Sequence, residues 1–534
     1  MKSRNSETRN WQSRKQPMKS RNWESRKLKS AMPELRFRFL LSRLRWSYGG
    51  LLYSGRRSFR AEAAAFCFLL LSWGASAGTY YVDYSTGSDA NAGTSTNAAW
   101  QHHPYMTGWT GSYTHTAGDQ FIFRGGVTWP SSCWRLTALA GGSSSGQDYY
   151  GISSNWFAGS SWTQPAFDGG AATNSVFWLQ SRNFITIDNL HFTNFSCQVD
   201  NGLINCYIQT NIVVENCKFD HWVTNGATLD KITGIVGNGQ QPFSPNNLIT
   251  NCVFDGTAAG ASSGMGVYSW NGIIRNCVSS NMSNGFLTGC GEVSGCTIGP
   301  INISFQTTAP IPHENAIESI NSGPCYWFNN VIFGIAGGVC LHSAAISSPW
   351  FVWNNVVWNS VPTPVILGTS YGAENVWAWN NTICCSAGTG GSAINTEYST
   401  VGVDAMNNHL IAVSGTGISL AAGSTSSITD DLPQVLGAAV SAGYTTNNLF
   451  QPISASSPTV GAGTNLSAFV SGFASISSNI TVYASSNMAV DVWGNSRSAS
   501  GAWDIGAYEF QSDAPAAPQA LTIQGSFSGK VGVQ

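Results

Sequence analysis

Short apolar and β-branched runs, each closed by a polar corner, recur along the middle of the chain. Ile212-Val213-Val214-Glu215-Asn216-Cys217-Lys218-Phe219-Asp220 is followed by Leu248-Ile249-Thr250-Asn251-Cys252-Val253-Phe254-Asp255. Ile273-Ile274-Arg275-Asn276-Cys277-Val278 and Val293-Ser294-Gly295-Cys296-Thr297-Ile298 repeat the phrase, the second with Gly for Asn. Later copies carry Asn-Asn, at Asn329-Asn330, Asn354-Asn355, Asn380-Asn381 and Asn407-Asn408. With the last Asn or its Gly substitute as the mark, from Asn189 to Asn408, the steps are 27, 35, 25, 19, 35, 25, 26 and 27 residues. No helical period runs through these segments, and alternation over three to five residues predicts strands. A repeat of this length signals units that cannot bury an apolar face alone.

The pattern predicts an all-β fold, a parallel β-helix with one coil per repeat. An Asn at the same corner of every coil can stack its side-chain amide on the next, as Asn ladders do in cross-β structures. Cys217, Cys252, Cys277 and Cys296 sit just inside that corner, and free, buried ladder thiols are expected there. Stacked positions lie about 4.8 Å apart, longer than the preferred Cβ separation of a disulfide. Cys197–Cys206 and Cys290–Cys296 are the expected bridges.

The phrase, its spacing and its Asn corner resemble the right-handed parallel β-helix proteins of the pectate-lyase-like superfamily, over about half the chain. The resemblance implies a right-handed solenoid with N- and C-terminal caps, and a glycan groove on the first sheet of each coil. That superfamily hosts lyases, hydrolases and adhesins alike, so the resemblance speaks to fold more than to activity. Asp491-Val492-Trp493-Gly494-Asn495-Ser496-Arg497 and Trp503-Asp504-Ile505-Gly506-Ala507-Tyr508-Glu509 are similar to a closing motif of secreted β-helix proteins. A buried clamp between Arg497 and nearby carboxylates, closing the last coil, is expected there.

The organisation reads as a basic leader over 1–60, an export signal over 61–77, an N-terminal cap over 78–170, coils over 171–415, C-terminal coils and cap over 416–511, and a linker with an incomplete tail over 512–534. The leader holds 17 of the 25 Lys+Arg. Arg56, Arg57 and Arg60, then Ala63 to Leu71, then Ala75-Ser76-Ala77 form a charged, an apolar and a small-residue region. That is the order of a secretion signal, with cleavage expected after Ala77 and a secreted or cell-surface product. The apolar run is too short to span a bilayer. Beyond it, eight Lys+Arg face 23 Asp+Glu, a net charge of −15. Such a surface disfavours nucleic acid. Extracellular polysaccharide is the expected partner and a monomer the expected state.

First-sheet strands are expected at Gly234–Asn238, Gly266–Trp270, Gly285–Gly289, Ala316–Ile320, Gly338–His342 and Ala393–Glu397. With Ile235, Val267, Phe286, Ile317 and Val339 inward, one outward column reads Val236, Tyr268, Leu287, Glu318, Cys340. The other reads Asn238, Trp270, Gly289, Ile320, His342. Glu318 and His342 on neighbouring coils offer a proton-sharing pair. Tyr268 and Trp270 offer rings for sugar stacking, with Asn238 and His313 as further substrate contacts. A second constellation, Asp220 and Asp255 with Lys231, fits a lyase in which Asp carboxylates hold Ca²⁺ and a lysine steadies the anion. Glu318 and Glu397 are too far apart for a direct hydrolase pair. The expected function is to act on or bind extracellular polysaccharide, with polysaccharide lyase and glycoside hydrolase as the two enzymatic readings left open. The alternative is a non-catalytic glycan-binding adhesin or a structural surface rod.

Overall fold

The computed structural model describes residues 76–512 apart from 137–138, 172–174, 197–201, 207–209, 223–232, 238–242, 257–263, 283, 302–314, 320–322, 336–340, 344–348, 360–365, 369–374, 386–392, 397–401, 412–416, 421–424 and 468–487. The repeat units form a right-handed parallel β-helix. Each coil gives one strand to each of three ladders, and every strand-to-strand pairing among the described strands is parallel. The handedness is the one that right-twisted strands favour in parallel crossovers. Sheet 1 runs from Phe177–Trp178 to Ile418–Ser419. Sheet 2, before the corner, runs from Thr79–Val82 to Thr425–Thr429. Sheet 3, after the corner, runs from Thr128–Trp129 to Leu432–Gln434. The ladders thus extend upstream into the segment expected to be a cap. Two 11-residue strands, Met265–Arg275 and Asn284–Ser294, pass without a break from sheet 1 into sheet 2.

The corner explains why Asn recurs. Asn189, Asn216, Asn251, Asn276, Asn329, Asn354, Asn380 and Asn407 all have φ between 51° and 59°, and Gly295 has φ 62°. Asn and Gly are the residues that enter this left-handed region at least cost. In the Asn-Asn coils the corner is therefore the first Asn, one residue before the expected mark. The second Asn falls in line with the cysteines. Val278 pairs with Thr297, and Thr297 with Val331, which sets Cys277, Cys296 and Asn330 in one column. Cys217, Cys252, Cys277 and Cys296 are buried free thiols, and the column continues as Asn330, Asn355, Asn381 and Asn408. Asn330 Nδ2 donates to Asn355 Oδ1 at 2.9 Å, Asn355 to Asn381 at 3.0 Å, Asn381 to Asn408 at 2.9 Å and Asn408 to Asp431 at 3.0 Å. The expected Cys290–Cys296 bridge is absent: both are free thiols, and Cys296 is committed to the column. Cys206 is also free, and its expected partner Cys197 lies outside the described residues.

Inside the coils, Phe192, Phe219 and Phe254 stack at 5.0 and 4.8 Å between ring centres. Outside, one column of sheet 2 changes character along its length. It reads Glu215, Thr250, Arg275, Ser294, then Phe328, Trp353, Trp379, Met406. The apolar half is buried under Leu466, Met488 and Trp503. The C-terminal segment is thus a lateral strap that lies along the side of the coils. Arg497 is its clamp: fully withdrawn from solvent at its side chain, it pairs with Glu509 at 3.2 Å and donates to Asn354 Oδ1 at 3.2 Å and to the Gly506 carbonyl at 3.1 Å. The clamp was expected, but it grips the corner of the Asn354 coil, three coils above the last.

Candidate functional site

Sheet 1 brings Tyr268, Glu318 and His342 of the first constellation into one register column. In register, Val236 lies beside Tyr268, Tyr268 beside Leu287, Leu287 beside Glu318, and Glu318 beside His342. Leu341, and not Val339, occupies the inward column next to Ile317. The expected register was therefore two residues out at this coil. The slip keeps the alternation of faces, which is why periodicity alone leaves it undetermined. Its consequence is to bring His342 directly opposite Glu318 in place of Cys340. A further coil at Ile366–Gly368 continues the ladder between the two that sequence spacing marked.

Glu318 is 6% exposed, and its Oε2 accepts from Asn315 Nδ2 at 2.8 Å. Asn315 is held in turn, its N–H donating to Asn284 Oδ1 at 3.0 Å. Thr288 Oγ1 donates to the Glu318 carbonyl at 3.2 Å, tying adjacent coils beneath the carboxylate. Tyr268 is half-buried on the same face, two strands away, about 10 Å by strand spacing.

Trp270 does not join it. The expectation of an outward ring is overturned, since Trp270 is 2% exposed and packs in the core. Ser269, with φ 59°, is an extra residue in the strand, and the register shifts between Tyr268 and Trp270. Such a bulge reverses the face of everything after it until a second irregularity restores the count. Here the second shift follows at once, between Trp270 and Asn271. Lys231, Asn238 and His313 lie outside the described residues.

The second constellation is placed in register, with Asp220 beside Asp255 on sheet 3. Its chemistry differs from the expected cation site. Asp220 Oδ1 contacts His191 Nε2 at 2.7 Å and His221 Nδ1 at 2.9 Å, and its Oδ2 contacts Lys218 Nζ at 2.6 Å. Burial alone would raise this carboxyl, but the two imidazoles and the ammonium outweigh it and hold it well below the usual carboxylate range. Both oxygens are taken by positive or proton-bearing groups of the chain, a poor arrangement for a divalent cation. Asp255 accepts from Asn281 Nδ2 at 3.0 Å. Among the described residues no three His, Cys, Asp or Glu side chains converge as metal ligands.

Sequence reading passed over a third arrangement. Asp188 and Glu215 are register partners on the outer face of sheet 2. Tyr149 donates its hydroxyl to Asp188 Oδ2 at 2.7 Å, and Asn216 Nδ2 donates to Asp188 Oδ1 at 2.8 Å. Glu215 is raised above the ordinary value, first by burial and then by the Asp188 charge. The signal was present in the phrases Ile187-Asp188-Asn189 and Val214-Glu215-Asn216, which both end in an acid before the corner.

No protein-family model matches the chain, and no curated protein matches it. Among solved structures it is similar to a GH136 lacto-N-biosidase from Eubacterium ramulus, with 9% identity over 70% of this chain and 69% of that one, at a TM-score of 0.35. It is similar to the pectate lyase Pel9A, with 14% identity over 83% of this chain and 98% of that one, at a TM-score of 0.36. Endopolygalacturonase I from Stereum purpureum, complexed with two galacturonate, gives 16% identity over 59% and 89%, at 0.19. These are distant likenesses, and the chemistry is read from this chain's own residues.

Proposed function

We propose that this chain is an exported protein that binds a polysaccharide along the outer face of sheet 1 and hydrolyses it there. The observation that carries the reading is the register pair of Glu318 and His342. Adjacent parallel strands are about 4.8 Å apart, close enough for a carboxyl and an imidazole to serve as an acid–base pair. In this reading Glu318 gives its proton to the leaving glycosidic oxygen as the C–O bond breaks, and His342 takes a proton from the water that adds at the sugar carbon. Tyr268 offers its ring to a neighbouring sugar. Asn238 and His313 keep the substrate-contact role expected from the sequence. The basic and apolar order of residues 56–77 supports export.

A lyase using Asp220, Asp255, Lys231 and Ca²⁺ is less well supported, because Lys218 and two imidazoles already neutralise Asp220. The test is a screen of the full chain against neutral and acidic polysaccharides, with and without Ca²⁺. It follows new reducing ends and the ultraviolet absorbance of unsaturated ends together. Hydrolysis gives reducing ends without absorbance, lost in Glu318→Gln with the melting temperature kept. Absorbance that requires Ca²⁺ returns the lyase reading. Glycan binding without cleavage, retained in Glu318→Gln and lost in Tyr268→Ala, makes the protein an adhesin.

A further inference from the structure

The amide ladder obeys one rule until its last member, at the foot of the described coils. Each Asn side-chain nitrogen donates forward to the next side-chain oxygen and back to a carbonyl of the coil above. Asn330 Nδ2 reaches back to the Val293 carbonyl at 3.0 Å, Asn355 to Trp327 at 3.0 Å, Asn381 to Val352 at 2.9 Å and Asn408 to Ala378 at 2.7 Å. These four carbonyls belong to successive members of the inward column of sheet 2, and the next member is Ala405. The next ladder position is filled by Asp431, since Leu432 pairs with His409 and so sets Asp431 beside Asn408. One of its oxygens does what an Asn oxygen does. Oδ1 accepts from the Asn408 backbone N–H at 2.7 Å and from Asn408 Nδ2 at 3.0 Å. The other, Oδ2, takes the place of the amide nitrogen, and it is buried without a hydrogen-bond partner.

The rule sets Oδ2 against the Ala405 carbonyl, which can only accept. Two buried acceptors facing each other are unfavourable, and a buried charge without a donor is more so. A proton on Oδ2 removes both costs and restores the backward bond of the ladder. The surroundings favour that form. Burial pushes the Asp431 carboxyl up to about 7, the two Asn408 donors pull against it, and the charges of Asp404 and Asp430 add to the push. Asp404 lies on the strand Gly402–Met406 of the coil above, and Asp430 is the corner residue of the same coil as Asp431. His409, on the adjoining strand, brings no compensating charge, because burial pushes it down to about 4. No Lys or Arg among the described residues pairs with Asp431.

We propose that Asp431 carries a proton on Oδ2 and donates a hydrogen bond to the Ala405 carbonyl as the last member of the amide ladder, and that loss of this proton loosens the coil containing Thr425–Thr429 and Leu432–Gln434. The fold thereby holds a pH-sensitive latch at this end. The stabilisation is complete below the unfolded carboxyl value of about 4 and is lost as pH rises through about 7.

Hydrogen–deuterium exchange over residues 425–434 of the full chain, corrected for the intrinsic pH dependence of amide exchange, tests this with the wild type and Asp431→Asn. Asn gives the position a permanent N–H donor of the same shape. The expected result is a variant-to-wild-type protection ratio in this coil that grows about tenfold or more between about pH 5.5 and about pH 8, with coils upstream of Ala378 alike in both chains as the folding control. A ratio that does not change with pH overturns the proposal. A second readout does not depend on how the variant packs. The infrared difference between wild type and variant at about pH 5.5 should carry the carbonyl band of a protonated carboxyl, and a carboxylate band in its place overturns the proposal.

Discussion

Cys296 donates its backbone N–H to Asn330 Oδ1 at 3.0 Å, and at this contact a column of thiols becomes a column of amides. The two halves of the column make different demands. A thiol fills space and bonds weakly, whereas Asn355 takes two donors from Asn330 and passes its own amide to Asn381. Asn355→Cys leaves buried donors without acceptors and should cost on the order of 2–4 kcal/mol. Cys296→Asn only lengthens the amide run and should shift stability by less than about 1 kcal/mol. Urea unfolding of the two variants, compared at constant slope, checks the asymmetry.

Arg497 holds the strap to the coils from a side chain with no solvent exposure. Replacing it with Lys keeps the charge but loses the fork that reaches Asn354, Gly506 and Glu509 together. A loss of about 3 kcal/mol is expected, as for a broken buried pair. Limited proteolysis should then cut between Met488 and Ser512 while the upstream coils stay intact. Uniform loss of all coils would show that the strap is not a separable layer.

Trp270 and Tyr268 are two residues apart and should separate stability from binding. Trp270→Ala empties a core position and should cost about 3–5 kcal/mol. Tyr268→Ala, on the half-buried outer face, should leave the melting temperature within a few degrees and weaken glycan binding. Thermal melts and binding isotherms on both variants decide it.

Asp220 gives the fold an acid limb. Its carboxyl is held well below its ordinary value in the native state. The stabilisation is therefore present above the unfolded value of about 4 and is lost as pH falls below it towards the native value. Asp220→Asn should lose on the order of 2 kcal/mol at pH 7, and its difference from the wild type should narrow steadily as pH falls below about 4. Melting temperatures across that range test both the sign and the window.

The coil period and the identity of the corner were legible because only Asn and Gly enter the left-handed turn cheaply, and they recur with every coil. Which Asn of an Asn-Asn pair makes the turn was not legible, since either letter fits and only strand pairing decides. The candidate site was partly legible. Glu318 and His342 were recognisable as neighbours, yet their direct opposition depends on loop lengths that vary from coil to coil. Trp270 was misplaced because the bulge at Ser269 carries no Gly or Pro to announce it. The Arg497 clamp could be foreseen from an arginine among acids in a chain poor in bases. Its grip on Asn354, far away in sequence, could not.

The strap also changes how the rod bears load. Coils that touch only their neighbours peel away one after another from a free end. Here the segment ending at Phe510 is bonded to Asn354, Thr382, Asn407 and Asp430, on four successive coils. Tension applied at Ser512 reaches the coils as shear along their flank, through the contacts of Ala507, Gly506 and Arg497 with Thr382, Asn407 and Asn354. The coils at the foot are thereby spared from unzipping when the molecule is pulled.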